Sequence, residues 1–459
     1  MFQKRLTRRA FLRNTAMTGV GLAAVACAAP GAAPAGSSQG EAESAPSSEV
    51  ITVRFMSRAG ADNIPNAENV LNEDFRAENP NIQVQVEPAP DGWIDGLLAQ
   101  MVAGTAVDIF QAWGNIFYNW TERDLLLDVQ PFVDSTMTDE EIADYNEFQW
   151  DGLVMRGVRV GMPKYINLMT VTINKDLFDE YGVEYPPEDG DWNHDDYYNM
   201  AKELTEGARA AGEENRWGGW IPMWAWDRFW FRLDMWGGGV VNERFGVDCT
   251  LDSEESQAAL QWAWDGMYKD NYFAQPAQVE NQWFRAAMTP GFICMAESGT
   301  YPIGTDRELG EAFRWDMRHV PVGPTGLRKV LGTTDAWSIT KQTKNPDASW
   351  AVLKFLSGPV YQQKQVVGQE GLIPVLKSMI STFISDVRAI RPSLEEVRLE
   401  TIAEILDWGY AEDSFWFKNQ NAAAEIIQPA LEKVFTVGDV GPEYLAEIAA
   451  QVDATQVDA

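Results

Sequence analysis

The sequence predicts an α/β fold, on two observations. From residue 50 onward short alternating apolar runs are separated by helical stretches of ten or so residues, and Gly, Pro and Asn punctuate the junctions. Ile51, Val53 and Phe55 alternate with their neighbours as a first strand. Ala67 to Ala77 has helical period until Glu78-Asn79-Pro80 stops it. Ile82, Val84 and Val86 mark a second strand, Trp93 to Met101 an amphipathic helix, and Val107 to Phe110 a buried third strand. This succession builds a parallel sheet, whose ligands sit beyond the carboxyl ends of the strands. Ser57-Arg58, after the first strand, and Gln111-Ala112-Trp113-Gly114, after the third, are therefore placed at the expected site.

A second α/β unit follows. Val158 to Asn174 is β-rich but interrupted at Pro163, and Lys175 to Tyr181 has helical character. Asn193, with Asp196 three residues on, opens another helix as a capping box does. Asp189, Asp191, Asn193 and Asp195 also match the first four ligand positions of a calcium loop. His194 replaces its turn glycine and Met200 its bidentate Glu, so the helix cap is the preferred reading. Ser253 to Lys269 is helical, Ile293 and Met295 suggest a strand, and Arg314 to Val322 suggests another, ended by Gly323-Pro324. Asn345-Pro346-Asp347 starts a helix, and helices dominate from Gln362 to the end.

Composition narrows the function. The chain has 459 residues, with 36 Lys and Arg against 68 Asp and Glu, for a net charge of −32. Such a field repels phosphate backbones and excludes nucleic acid as a partner. Two His (His194, His319) and three Cys (Cys27, Cys249, Cys294) leave no material for a His- or Cys-rich metal centre, and no cofactor is expected. The 19 Trp outnumber the 13 Tyr.

The N-terminus is an address. Lys4, Arg5, Arg8-Arg9, Phe11-Leu12 and Arg13 precede a short, weakly apolar stretch from Ala16 to Ala26, resembling a twin-arginine export signal. Ala24-Val25-Ala26-Cys27 resembles a lipobox, which makes Cys27 the expected site of acylation. Residues 28–49 are small, polar and rich in Pro, Gly and Ser, as a flexible tether is. Removing residues 1–27 takes away five positive charges and no negative ones, so the remainder carries −37. Only Cys249 and Cys294 then remain, and in an oxidising compartment they form a possible disulfide.

Several phrases resemble the extracellular solute-binding proteins of ABC importers, the maltodextrin-binding-like family. They include Phe75…Glu78-Asn79-Pro80-x-Ile82-x-Val84, Ala103-Gly104…Val107-Asp108-Ile109 and Leu126-Leu127-Asp128-Val129-x-Pro131. Met162-Pro163, Ile173-Asn174-Lys175-Asp176-Leu177-Phe178, Pro321-x-Gly323-Pro324, Asn345-Pro346 and Gly371-x-Ile373-Pro374 continue the series in order. The resemblance covers residues 50 to about 440. It implies a two-lobe periplasmic-binding-protein (Venus flytrap) fold with three interlobe crossings and a helical C-terminal part. The N-lobe would comprise 50–163 plus 335–376 and the C-lobe 170–330 plus 380–459, with hinges near 164–170, 331–335 and 374–379. The implied function is that of a lipid-anchored, monomeric clamp on the outer face of the cytoplasmic membrane. It would capture a carbohydrate, deliver it to an ABC permease and perform no catalysis.

Sugars need flat aromatics for their C–H faces and planar polar groups for their hydroxyl rims. Trp217, Trp220, Trp224, Trp226, Trp230 and Trp236 crowd twenty residues, and most of them are expected in the core. Trp224 and Trp226, beside Pro222 at a strand-to-helix turn, are the better ligand candidates. Arg58, Ser57 and Trp113 follow strand ends, and Trp93 opens a helix after Pro90-Asp91-Gly92. Tyr301 follows the strand ending near Met295. Tyr165 and Asn167 lie at the first implied crossing, and Asp335 and Trp337 at the second. Two competing functions stand beside this one: the same clamp taking a polyol, peptide or other small solute, and a secreted glycoside hydrolase with Trp subsites. An eight-fold barrel enzyme fits poorly with a last 115 residues that are almost wholly helical.

Overall fold

Two sheets, each wrapped by helices, organise the chain. The computed structural model describes residues 50–457 apart from 59, 281–283, 306–308, 333–334 and 413–416, and leaves undescribed the side chains of 61, 226, 227, 284, 285, 305, 411 and 412. The export signal, Cys27 and the tether lie outside the described residues.

The first sheet starts with β1 (Ile51–Ser57), β2 (Ile82–Pro88) and β3 (Ile109–Ala112) and ends with β4 (Met162–Pro163). The second contains β5 (Met169–Asn174), β6 (Trp217–Trp220), β7 (Ile293–Gly299) and β8 (Trp315–Arg318). The chain then returns to the first sheet as β9 (Ala336–Ile339), giving the orders β2-β1-β3-β9-β4 and β8-β5-β7-β6. We call the lobes built on these sheets the N-lobe and the C-lobe.

Strands β1, β2 and β3 are parallel, with Val53 opposite Val84 and Phe55 opposite Phe110's neighbour Ile109. The expected parallel sheet is in fact mixed, and so is the second. Strand β9 runs antiparallel to both β3 and β4, and β5 runs antiparallel to both β7 and β8. The reason is topological: β9 arrives from the other sheet, without the right-handed helical crossover that makes neighbours parallel.

Period-two alternation assigns each face of the first sheet a core of its own. Val53, Phe55 and Ile109 point to one side with Trp350 and Leu353, and Met56 and Phe110 to the other with Phe117 and Trp120. The helices that cover these faces are α1 (Trp93–Ala103), α2 (Gly114–Glu122) and, later in the chain, one at Pro346–Ser357. In the C-lobe one continuous core runs from Ile166 to Val452 and draws in the C-terminal helices through Phe383, Ile402 and Leu431. Strands β5 and β7 are buried along their whole length, as strands covered on both faces must be.

The calcium-loop geometry is absent where the sequence offered it. Asn193 caps α3 (His194–Ala210), accepting from the backbone N–H groups of Asp195 and Asp196, while the Asp196 carboxylate accepts from Asn193 N–H at 2.8 Å. Among the described residues no cluster of three His, Cys, Asp or Glu could hold a metal. The possible disulfide is also corrected: Cys249 and Cys294 are separate, buried free thiols. Cys294 is enclosed near the start of β7, whereas the backbone N–H of Cys249 is bound to the Asp453 carboxylate near the C-terminus. Burial pushes both thiols up to about 12, so neither forms the reactive thiolate readily.

Candidate functional site

The strand ends of the N-lobe converge on Arg58. Its guanidinium lies 4.2 Å from the Trp113 ring centroid and 5.4 Å from that of Trp93, and the two indoles meet edge to face at 5.9 Å. Trp113 is held by the β3-to-α2 turn, and Trp93 is the first residue of α1, so three successive strand–helix junctions each contribute one group. All three side chains are half-buried. Stacking of this kind stabilises by about 0.5–2 kcal/mol and fixes the plane of the guanidinium.

Asp335 holds this group from behind. Its carboxylate lies 3.6 Å from Arg58 Nη1, and accepts from the Tyr165 hydroxyl at 3.0 Å and Gln111 Nε2 at 3.3 Å. With three partners and little exposed surface, Asp335 acts as the organiser of the group. Burial, reinforced by that carboxylate, pushes the Tyr165 hydroxyl well above its ordinary range, so it remains a donor. Gln111 in turn accepts from Lys164 Nζ at 3.1 Å, and Lys164 pairs with Glu370 at 2.7 Å. Glu370 also accepts from Gln365 Nε2 at 3.1 Å. Lys164 and Glu370 are both enclosed, their side chains 3% and 7% exposed, so neither charge can lose its partner cheaply.

This network sits where three chain segments run side by side. Lys164 N–H donates to the Asp335 carbonyl at 2.9 Å, Ile166 bridges Ile373, and Leu168 bridges Gly332. Lys164, Ile166 and Leu168 are therefore tied to Asp335, Ile373 and Gly332 between the two sheets.

The remaining candidates are placed differently. Ser57 is buried at the end of β1, its carbonyl accepting from Ala89 N–H. Trp337 is enclosed, 1% exposed, and meets Tyr361 edge to face at 5.6 Å, so it stiffens the core and offers no surface to a solute. Asn167 is buried and braces the loop after β7, its Oδ1 accepting from Thr300 N–H at 2.9 Å. Tyr301 is half-buried beside it: a Cβ on Gly299 would fall 2.4 Å from Asn167 Oδ1 and 2.8 Å from the Tyr301 ring, a close approach that only glycine permits. Trp224 is half-buried against the C-lobe core, edge-on to Trp220 at 5.5 Å. The side chain of Trp226 lies outside the described residues, although its backbone opens α4 (Trp226–Met235).

Sequence reasoning missed Glu370, one of 68 acidic residues with nothing local to distinguish it. It missed Lys164 as a network member as well, although it did place that residue in a crossing segment. Gln111 was within the strand-end phrase Gln111-Ala112-Trp113-Gly114, and its position was the available signal.

A family model for bacterial extracellular solute-binding proteins matches residues 61–363. The chain belongs to that family. A binding protein of Brucella abortus is 26% identical over 309 residues, which are 66% of this chain and 71% of that protein. An erythritol/L-threitol-binding protein of Mycolicibacterium smegmatis is 22% identical over 333 residues, 67% of each chain. Among solved structures, an ABC substrate-binding protein from Listeria monocytogenes in complex with cycloalternan superposes with a TM-score of 0.75. Its identity is 22%, and the match covers 89% of this chain and 98% of that one. The two-lobe fold of this solute-binding protein is thus shared with its relatives.

Proposed function

We propose that this chain captures an uncharged, hydroxyl-rich solute, a mono- or oligosaccharide, between its two lobes and delivers it to an ABC permease. The observation that carries the reading is the Arg58 group. Two indoles offer apolar faces to C–H surfaces, and a guanidinium held flat between them offers N–H donors to a hydroxyl rim. Asp335 balances the Arg58 charge, which suits a neutral solute better than an anion in a chain of net charge −32.

The tied segments at 164–168, with Gly332, Asp335 and Ile373, support their role as the hinge, with lobes following the boundaries expected from the sequence. Tyr301, Trp224 and Trp226 are the groups proposed to meet the solute from the C-lobe. A ligand that touches both walls only when they close biases closure by that difference alone. Acylation of Cys27 would tether the monomeric clamp to the outer face of the membrane, and the chain would perform no catalysis on its ligand.

The polyol reading has one observation in its favour, the erythritol/L-threitol-binding relative. Thermal-shift and Trp-fluorescence titration with neutral mono- and oligosaccharides, tetritols and peptides tests both readings. A response to a sugar is expected. A response to tetritols alone would select the polyol, and a response to peptides alone would contradict both. Incubation with the responding ligand is expected to yield no product.

A further inference from the structure

The lobes meet again away from the tied segments, along α2. Tyr118 and Glu122 lie one turn apart on that helix and share a face. Opposite them stand residues of the C-lobe. Phe245 stacks on the Tyr118 ring at 5.8 Å and 18°, and the Tyr118 hydroxyl lies 2.9 Å from the Lys418 carbonyl and 3.2 Å from that of Phe417. Arg156, in the N-lobe hairpin, donates through Nη1 to Glu122 at 2.6 Å and to the Lys418 carbonyl at 3.2 Å. Asn421 Nδ2 donates to the other Glu122 oxygen.

Three features set this seam apart. Phe245 belongs to the C-lobe by sequence, yet it packs against the N-lobe cluster of Met56, Phe117 and Trp120. Phe245 (φ 62°) is one of five non-glycine residues with left-handed backbone among those described; Arg156 (φ 52°) is another, but there the two-residue hairpin turn it makes with Gly157 requires that backbone. Strained backbone such as that of Phe245 persists where a side chain is held for a purpose. Finally, no member of the seam belongs to the Arg58 group, so every one of its contacts can form with the cleft empty.

We propose that Tyr118, Glu122 and Arg156 of one lobe and Phe245 and Phe417–Asn421 of the other form a latch that stabilises the closed clamp independently of solute. It deepens the clamp reading and rests on it. The latch sets the fraction of closed molecules before any solute arrives. Apparent affinity scales with the fraction of molecules competent to hold the ligand. The strained backbone of Phe245 also limits the strength of the latch, so that docking on a permease can open it.

The experiment needs no solute. Spin labels are placed at the exposed positions Val102 of the N-lobe and Val437 of the C-lobe, through Val102→Cys and Val437→Cys, in the full chain carrying Cys27→Ser. Cys249 and Cys294 are buried and stay unlabelled. Pulsed dipolar spectroscopy of the solute-free protein then reads the balance of long and short distances. Phe245→Gly removes the ring and relieves the backbone, and is expected to raise the open-to-closed ratio about tenfold. Tyr118→Phe should move it the same way by less, and Phe245→Tyr should restore the original balance. Unfolding temperature should change little in all three, since each lobe keeps its own core. An unchanged distance distribution in both Phe245→Gly and Tyr118→Phe overturns the latch. If those variants still respond to a sugar, the clamp reading survives that loss; a sugar response absent from every variant and the parent counts against the clamp itself.

Discussion

The two lobes use their aromatics in opposite ways. On the N-lobe, Trp93 and Trp113 are half-buried and turned onto Arg58, each at a strand–helix junction. On the C-lobe, the Trp-dense stretch from Trp217 to Trp236 is mostly enclosed. Trp220 and Trp230 are fully buried, and Trp236 meets His194 edge to face and Trp262 at a tilt inside the lobe. Aromatic density therefore reports packing, and position after a strand end reports groups that the fold brings together. A buried ion pair shows the same division: Arg232 and Glu297 meet within the C-lobe core, with Arg232 also 4.9 Å from the Trp262 ring.

Substitutions can break this contrast. Trp230→Ala should cost the most, about 3–5 kcal/mol of stability, because a large enclosed ring leaves a cavity that its neighbours fill only in part. Denaturant unfolding measures it, and the molecules still folded should keep their solute affinity. A similar loss of affinity with unchanged stability would place Trp230 in the cleft instead.

Acidification should be next in size, and again acts on the C-lobe. His319 is enclosed, with Glu404 at 2.7 Å from Nε2 and the Tyr410 hydroxyl at 2.6 Å from Nδ1. A carboxylate only accepts, so Nε2–H donates to Glu404 and Nδ1 accepts from Tyr410, the arrangement of a neutral ring. Burial holds the ring down at about 4, against the opposing pull of Glu404. A depressed histidine contributes its stabilisation fully above its unfolded value near 6.5 and loses it as pH falls toward 4. The expected loss over that window is about 3 kcal/mol. Unfolding free energies at pH 7, 5.5 and 4.5 should show it, and His319→Gln should flatten the slope.

Arg58→Ala is expected to invert the pattern. It should weaken solute binding by about 2 kcal/mol, roughly thirtyfold, while moving stability by less than about 1 kcal/mol. Calorimetric titration alongside thermal unfolding separates the two effects. The smallest expected change is Asn193→Ala, about 1 kcal/mol of stability from the lost α3 cap, with affinity untouched.

Much of this is legible in the sequence. The α/β alternation and the capping box at Asn193 follow from local chemistry, and β1, β2 and α1 begin within a residue or so of where their patterns begin. That Arg58 and Trp113 lie near each other is legible because a strand end is a position that can be counted along the chain, whereas Trp93 can be read only as a helix-opening residue after Pro90-Asp91-Gly92. The mixed strand directions are not legible, because the direction of β9 depends on where the chain has been, and no local pattern encodes that. Lys164 and Glu370 are about 200 residues apart, and their pairing exists only once the segments at 164–168 and 373 lie side by side. Trp337 misled for the same reason: it lies beside Asp335 in sequence, but alternation along β9 sends it into the core.

The central claim is that the Arg58, Trp93 and Trp113 group captures an uncharged polyhydroxyl solute. Calorimetric titration of the wild type and Trp113→Ala with the responding sugar tests it most directly. Saturable binding by the wild type and at least a tenfold loss in Trp113→Ala, with unfolding temperature nearly unchanged, is the predicted result. Equal affinity in the two proteins would contradict it.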